Sequence, residues 1–157
     1  MFKKLLGAIW SRMPVRIRRL TIRAINTKFT VTVAGIIFND KSEVLLIKHL
    51  FRPGKGWGLP GGFLEASEQP DEALRRELRE EIGLEVDQLK TFTTRSFRKA
   101  RQLEVVFLGH SRNEPLPQSI EVERCDWFPT ESLPEGVPRD QKSLIKQATA
   151  GWSKTYD

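Results

Sequence analysis

The chain has one cysteine, one tyrosine and two histidines, and no apolar run approaching the roughly 18 residues of a membrane span. Each scarcity closes off a class. With Cys125 alone there is no internal disulfide framework, and its place in a strand-like run reads as a semi-buried thiol. A reducing cytoplasm fits that reading, with peripheral membrane attachment as an addition. His49 and His110 each stand alone near a strand end, so zinc chemistry and a Ser-His-Asp arrangement lack their usual parts. The first segment is charged too often for a signal-peptide core.

Acidic residues are missing altogether from positions 1–30, which hold eight Lys or Arg: Lys3, Lys4, Arg12, Arg16, Arg18, Arg19, Arg23 and Lys28. The rest of the chain carries 18 basic and 20 acidic residues, a net charge of −2, so the high pI of about 9.7 comes from the leader alone. Within it Phe2, Leu5, Leu6, Ile9, Trp10 and Met13 follow helical spacing, and Pro14 ends the pattern. Three readings of this amphipathic basic helix stand open: packing on its own domain, lying on an anionic membrane surface, or an organellar transit peptide. The stretch Val15 to Ile25 reads as helix or strand, and packing against the domain would account for the length of the leader. We therefore expect a basic extension over 1–28 and one domain over 29–157, a size that suits a single core. Monomer and homodimer are both compatible with it.

What is abundant lies between Gly62 and Leu84. If Pro70 opens a helix, Glu77, Glu80 and Glu81 fall at i, i+3 and i+4 on one face. Three like charges there repel, which a solvated surface tolerates and a divalent cation removes; hard carboxylate oxygens suit Mg²⁺ or Mn²⁺. Ala73, Leu74, Leu78 and Ile82 form the opposite, buried stripe, and Gly83 is a plausible C-terminal cap. Upstream, Leu59-Pro60-Gly61-Gly62 offers bare backbone, so a carbonyl can approach a metal or phosphate closely.

These residues resemble the Nudix box, GX5EX7REUXEEXGU with U a bulky aliphatic, at Gly62, Glu68, Arg76, Glu77, Leu78, Glu80, Glu81, Gly83 and Leu84. Every specified position matches. At lower specificity, Trp57 to Gly62 is similar to the family's approach to the box and Trp127-Phe128 to its late strand, so that about residues 30 to 150 are covered.

Elements read from the flanks are strands over Phe29–Phe38, Val44–Ile47, Glu85–Phe97, Gln102–Gly109 and Ile120–Phe128, and a final helix over Arg139–Ala150. With the box helix they point to an α/β fold, an α/β/α sandwich around a mixed sheet, which the resemblance also implies.

The resemblance implies hydrolysis of a nucleoside diphosphate linked to a group X, with water attacking a metal-bound pyrophosphate. By it, Glu77, Glu80 and Glu81 bind Mg²⁺ (or Mn²⁺), the Gly61 carbonyl adds a ligand, and Arg76 and Glu68 orient the set. The general base is Glu81, Glu80 or Glu121, in that order. Glu121 also stands where relatives carry a further metal-binding acid, with Glu123 as its competitor. Arg52 and Lys55 are candidates for a phosphate, and Phe51, Trp57 and Phe97 for stacking a base, against ordinary loop and core roles.

The ADP-ribose subgroup usually has a proline about sixteen residues past the box, whereas here Pro115 comes thirty-one beyond Leu84. A dinucleoside polyphosphate subgroup usually has a tyrosine in that region, and the one tyrosine is Tyr156. No coenzyme A or NADH subgroup signature is present. Elimination leaves a nucleoside triphosphate, cleaved to monophosphate and pyrophosphate, ahead of a nucleoside diphosphate sugar or alcohol, ADP-ribose, or the 5′ end of an RNA drawn by the leader. A non-catalytic nucleotide-sensing or partner-binding module is the reading from another class. The complete glutamate set argues against it.

Overall fold

The computed structural model describes residues 10–51 and 56–152. Phe2, Leu5, Leu6, Ile9, Arg52, Lys55 and Tyr156, all weighed above, lie outside them. The order is α1 (Val15–Ile25), β1 (Thr30–Phe38), β2 (Val44–His49), β3 (Trp57–Gly58), α2 (Pro70–Ile82), β4 (Leu89–Phe97), β5 (Gln102–His110), β6 (Val122–Phe128) and α3 (Arg139–Trp152).

The six strands form one mixed sheet in the order β3-β2-β1-β5-β4, with β6 also paired to β2. β1 and β5 run parallel over their full length, from Thr30 opposite Gln102 to Phe38 opposite His110. The β1 and β2 strands pair only at Phe38 and Val44. Between them the segment after β3 is zipped onto β1, through Gly35 N–H to the Pro60 carbonyl, Val33 N–H to Gly62, and Leu64 N–H to Val31.

Both faces of the sheet are covered, which is why β1 and β2 read as continuous apolar runs with no alternation. Val33 and Ile37 of β1 and Leu45 and Ile47 of β2 face Ala73, Leu74, Leu78 and Ile82 of α2. Their strand neighbours Ala34, Ile36, Phe38, Val44 and Leu46 face Leu144, Ile145 and Ala148 of α3. The expected sandwich is present. Cys125 is buried in the first of these layers, and burial pushes its thiol up to about 11.

Several boundaries differ from the sequence reading. The strand expected from Glu85 begins at Leu89, because Val86 is used to fill the core beneath α2 and not to extend a ladder. The strand expected from Ile120 begins at Val122, leaving Glu121 in the preceding turn. Val15 to Ile25, read as helix or strand, is helix, and Val15, Ile17, Leu20, Ile22 and Ile25 along it are between 44% and 76% exposed, so these side chains are not packed on the domain. Among the described residues α2 and α3 cover the two faces of β1 and β2, and α1 belongs to neither core cluster. Among the described residues no helix is long and apolar enough to cross a membrane.

Candidate active site

Local chemistry sets α2 in place. Pro70 occupies its first turn, Glu72 accepts the Gln69 N–H at 2.9 Å, and Gly83 closes the helix in the left-handed conformation with φ 63°. Ala73, Leu74, Leu78 and Ile82 are buried as expected, but Glu81, read on the opposite face, is buried with them, and the Glu77 carboxylate lies against Gly62. Gly61 has φ 142°, and a Cβ there would strike the Val33 carbonyl of β1. At Gly62 a Cβ would strike the Glu77 carboxylate. These two glycines let backbone lie against β1 on one side and against a carboxylate on the other.

Arg76 is the hub of the acids. Its Nε and Nη2 donate to the two oxygens of Glu68 at 2.9 and 3.1 Å, and Nη1 donates to Glu77 at 3.0 Å and Glu80 at 3.3 Å. Nη2 also reaches the Phe63 carbonyl at 3.0 Å, which ties the glycine segment to the helix. A planar guanidinium alone supplies this many fixed donors. The hydrogen bond from Arg76 holds the Glu68 carboxyl below its usual range, while the carboxylates push Arg76 further toward its charged form. Glu77 goes the other way: its burial, only partly offset by Arg76, raises it above the ordinary 4.5.

Glu81 is 8% exposed, and its Oε1 lies 3.7 Å from His49 Nε2 at the end of β2. The Glu81 carbonyl accepts the Gln118 and Ser119 N–H groups at 2.8 and 3.3 Å, and Leu50 N–H donates to the Glu121 carbonyl at 2.9 Å. The 118–121 segment therefore bridges the end of α2 and the end of β2, with Glu121 exposed in its turn. Glu123, its competitor, is taken up by Lys48 at 2.7 Å.

Hard oxygen donors on one helix face, beside backbone carbonyls, fit Mg²⁺ better than any thiolate-seeking ion. Among the described residues no three acidic, histidine or cysteine side chains stand close enough to enclose an ion as placed, since Arg76 gathers Glu77 and Glu80 to itself. A cation bound to Glu77, Glu80 and Glu81 would share the carboxylates of Glu77 and Glu80 with Arg76.

That competition has a pH signature. Glu68, with its lowered pKa, contributes stability above about 4.5 that is lost as pH falls through its folded value. Glu77, with its raised pKa, contributes the opposite: stability is lost as pH rises from 4.5 through its folded value, where it must ionise half-buried. A divalent cation relieves that cost. The rise in Tm on adding Mg²⁺ should therefore be full near neutrality and vanish as pH approaches 4.5. A rise that is independent of pH across this range removes Glu77 from the ligand set.

On the other sheet face, a cleft of about 190 Å³ opens beside Gly61 and Gly62. Its polar walls are Thr32, Gln102, Glu104 and Gln141, and Phe63 stands at it 64% exposed. Gln141 accepts the Leu59 N–H at 2.9 Å, Gln102 donates to Thr32 at 2.8 Å, and Arg95 holds Glu104 at 2.6 Å and Asp140 at 2.7 Å. Of the aromatic candidates from sequence, Trp57 packs edge-on against Phe128 within the core, Phe97 lies under the Arg95 guanidinium, and Phe51 is exposed. The aromatic at the cleft is Phe63, which was not anticipated, and neither were His49 and Glu104. Glu104 did leave a trace, an acid inside an otherwise apolar strand.

The sequence matches the NUDIX domain family over residues 28–148. It is 31% identical over 147 residues to the ADP-ribose pyrophosphatase of Methanocaldococcus jannaschii, covering 90% of this chain and 86% of that protein. It is 32% identical over 126 residues to the human 8-oxo-dGDP phosphatase NUDT18, covering 77% of this chain but only 36% of that protein. Among solved structures, a MutT NUDIX hydrolase from Burkholderia pseudomallei superposes with a TM-score of 0.68 at 26% identity, over 77% of this chain and 98% of its own. With the box, the sandwich and these relatives in agreement, the chain belongs to the Nudix family of hydrolases, enzymes that act on pyrophosphate bonds.

Proposed function

We propose that the protein hydrolyses a nucleoside triphosphate to the monophosphate and pyrophosphate, with its phosphates along the Gly61-Gly62 edge and its base in the cleft at Phe63. The observation that carries this reading is the adjacency of the two halves: the carboxylates that Arg76 gathers stand on one side of the two glycines, and the cleft lined by Thr32, Gln102 and Glu104 on the other. Amide and carboxylate groups match the donor and acceptor edges of a base, and every base offers a face to an exposed phenyl ring. Mg²⁺ held by Glu77, Glu80, Glu81 and the Gly61 carbonyl would neutralise the phosphates and lower the pKa of a bound water. Glu81 is our first choice as the base for that water, because it is the buried acid of the set and His49 lies beside it. Glu121 is our choice over Glu123 for the acid outside the box, since Lys48 already neutralises Glu123.

A second reading, ADP-ribose as substrate, is supported by the archaeal relative, which this chain covers over most of both lengths. The absence of the subgroup's proline weighs against it. Incubation with Mg²⁺ and a panel of nucleoside triphosphates, 8-oxo nucleotides, nucleotide sugars, ADP-ribose and triphosphorylated RNA separates the two by product. A monophosphate with pyrophosphate supports the first reading; AMP with ribose 5-phosphate supports the second. Phe63→Ala should raise KM about tenfold or more, the loss of one stacked base, with kcat and Tm little changed. An unaltered KM would take the base out of this cleft.

A further inference from the structure

The basic charge of this chain is concentrated in its first 30 residues, and among the described residues α1 carries five of the exposed large apolar side chains, Val15, Ile17, Leu20, Ile22 and Ile25. Along that helix Ile17, Leu20, Ala24 and Ile25, with Thr21 among them, recur at i, i+3, i+7 and i+8 on one arc, and Val15 and Ile22 lie outside it. Ile17, Leu20 and Ile25 are 50%, 64% and 76% exposed. Arg16 and Arg19 lie off this arc, both exposed, and Trp10 and Phe29 add exposed aromatic rings before and after the helix. No acid occurs before Asp40, so the arginines have no intrahelical partner to neutralise them.

Apolar residues at this density on one arc require a cover, and the basic flank decides which cover suits. A second copy would bring an equally cationic helix against the first, and like charges at close range oppose that pairing. Nucleic acid would satisfy the arginines but leave Ile17, Leu20 and Ile25 in water. An anionic bilayer surface satisfies both: acyl chains take the apolar arc and lipid headgroups take the guanidinium groups, the arrangement of an interfacial helix. We propose that α1 docks the protein onto membrane surfaces rich in anionic lipid, lying in the interface and not crossing it. The domain that follows has a net charge of −2 and so adds no attraction of its own, which confines the contact to the leader.

The test is co-sedimentation of the full chain with vesicles of phosphatidylglycerol and phosphatidylcholine in equal parts, against pure phosphatidylcholine, with light scattering and RNA binding measured in parallel. We expect binding to the mixed vesicles only, weakened by salt. Arg16→Glu with Arg19→Glu should cut it by well over tenfold, since each cationic residue near such a surface contributes about fivefold. Ile17→Glu with Leu20→Glu should cut it at least as much. Because α1 covers neither sheet face, both variants should keep the wild-type circular dichroism and melting, which separates lost docking from lost folding. The proposal is overturned if the mixed vesicles are not bound, or if pure phosphatidylcholine is bound equally. It is also overturned if the apolar variant binds as wild type does, as a simple polyanion effect shared with RNA would predict. A dimer that ignores vesicles and is broken by Leu20→Glu would give the face to a second copy.

Discussion

Glu81→Gln is expected to lower kcat by about 10²–10⁴-fold, the usual worth of a positioned general base, while leaving the protein folded. The substitution is isosteric and removes only the charge. Glu81 is 8% exposed, the apolar residues buried with it on α2 are untouched, and burying a neutral amide costs less than burying a carboxylate, so Tm should hold or rise. The same change at Glu80, an exposed acid bonded to Arg76, should act mainly by weakening affinity for Mg²⁺ and be largely rescued by raising its concentration. The decisive measurement is kcat at saturating Mg²⁺ for the two variants side by side. A Glu81→Gln enzyme within a few-fold of wild type would move the base elsewhere, with Glu121 the next to test.

Arg76→Ala should cost both stability and turnover, for one reason. The guanidinium makes five hydrogen bonds, to Glu68, Glu77, Glu80 and the Phe63 carbonyl, and its loss leaves Glu77 half-buried beside two other acids with no cation to offset them. Leaving such a group without its donor costs about 1–3 kcal/mol. Lysine keeps the charge but not the fork, so Arg76→Lys should recover part of the stability and little of the activity. Since Mg²⁺ supplies the missing positive charge, the gain in Tm on adding it should be larger in Arg76→Ala than in wild type. An equal gain would mean that the guanidinium and the ion do not share these carboxylates.

The box helix was legible because everything that defines it is local: a proline at its start, a glycine at its end, and a 3.6-residue stripe between them. The central strands were legible as strands, but their two faces were not, because burial on both sides erases the alternation that assigns a face. What sequence could not offer was juxtaposition. His49 meets Glu81 only because β2 ends over the end of α2, and Phe63 reaches the cleft only because the segment after β3 is wedged between β1 and β2. Trp57 was weighed between stacking a base and packing in the core, and its pairing to β2 sets it in the core. The α1 stretch was ambiguous for another reason: valine, isoleucine and threonine favour strands, yet the arginines and the spacing favour a helix.

The parallel ladder between β1 and β5 bears on how the enzyme comes into being. Its partners, from Thr30 with Gln102 to Phe38 with His110, enclose the whole Nudix box within the connecting loop. That ladder must close a long loop before its pairs reward the chain, which makes folding slower than that of a helical bundle, whose contacts are local. The wedge of Gly61 and Gly62 against β1 closes a much shorter loop, within residues 31–64. A nascent chain released before β5 has emerged holds the box helix and the strands it packs on, but β1 lacks its longest partner and β2 lacks β6, so catalytic competence should appear late, when the sheet is completed.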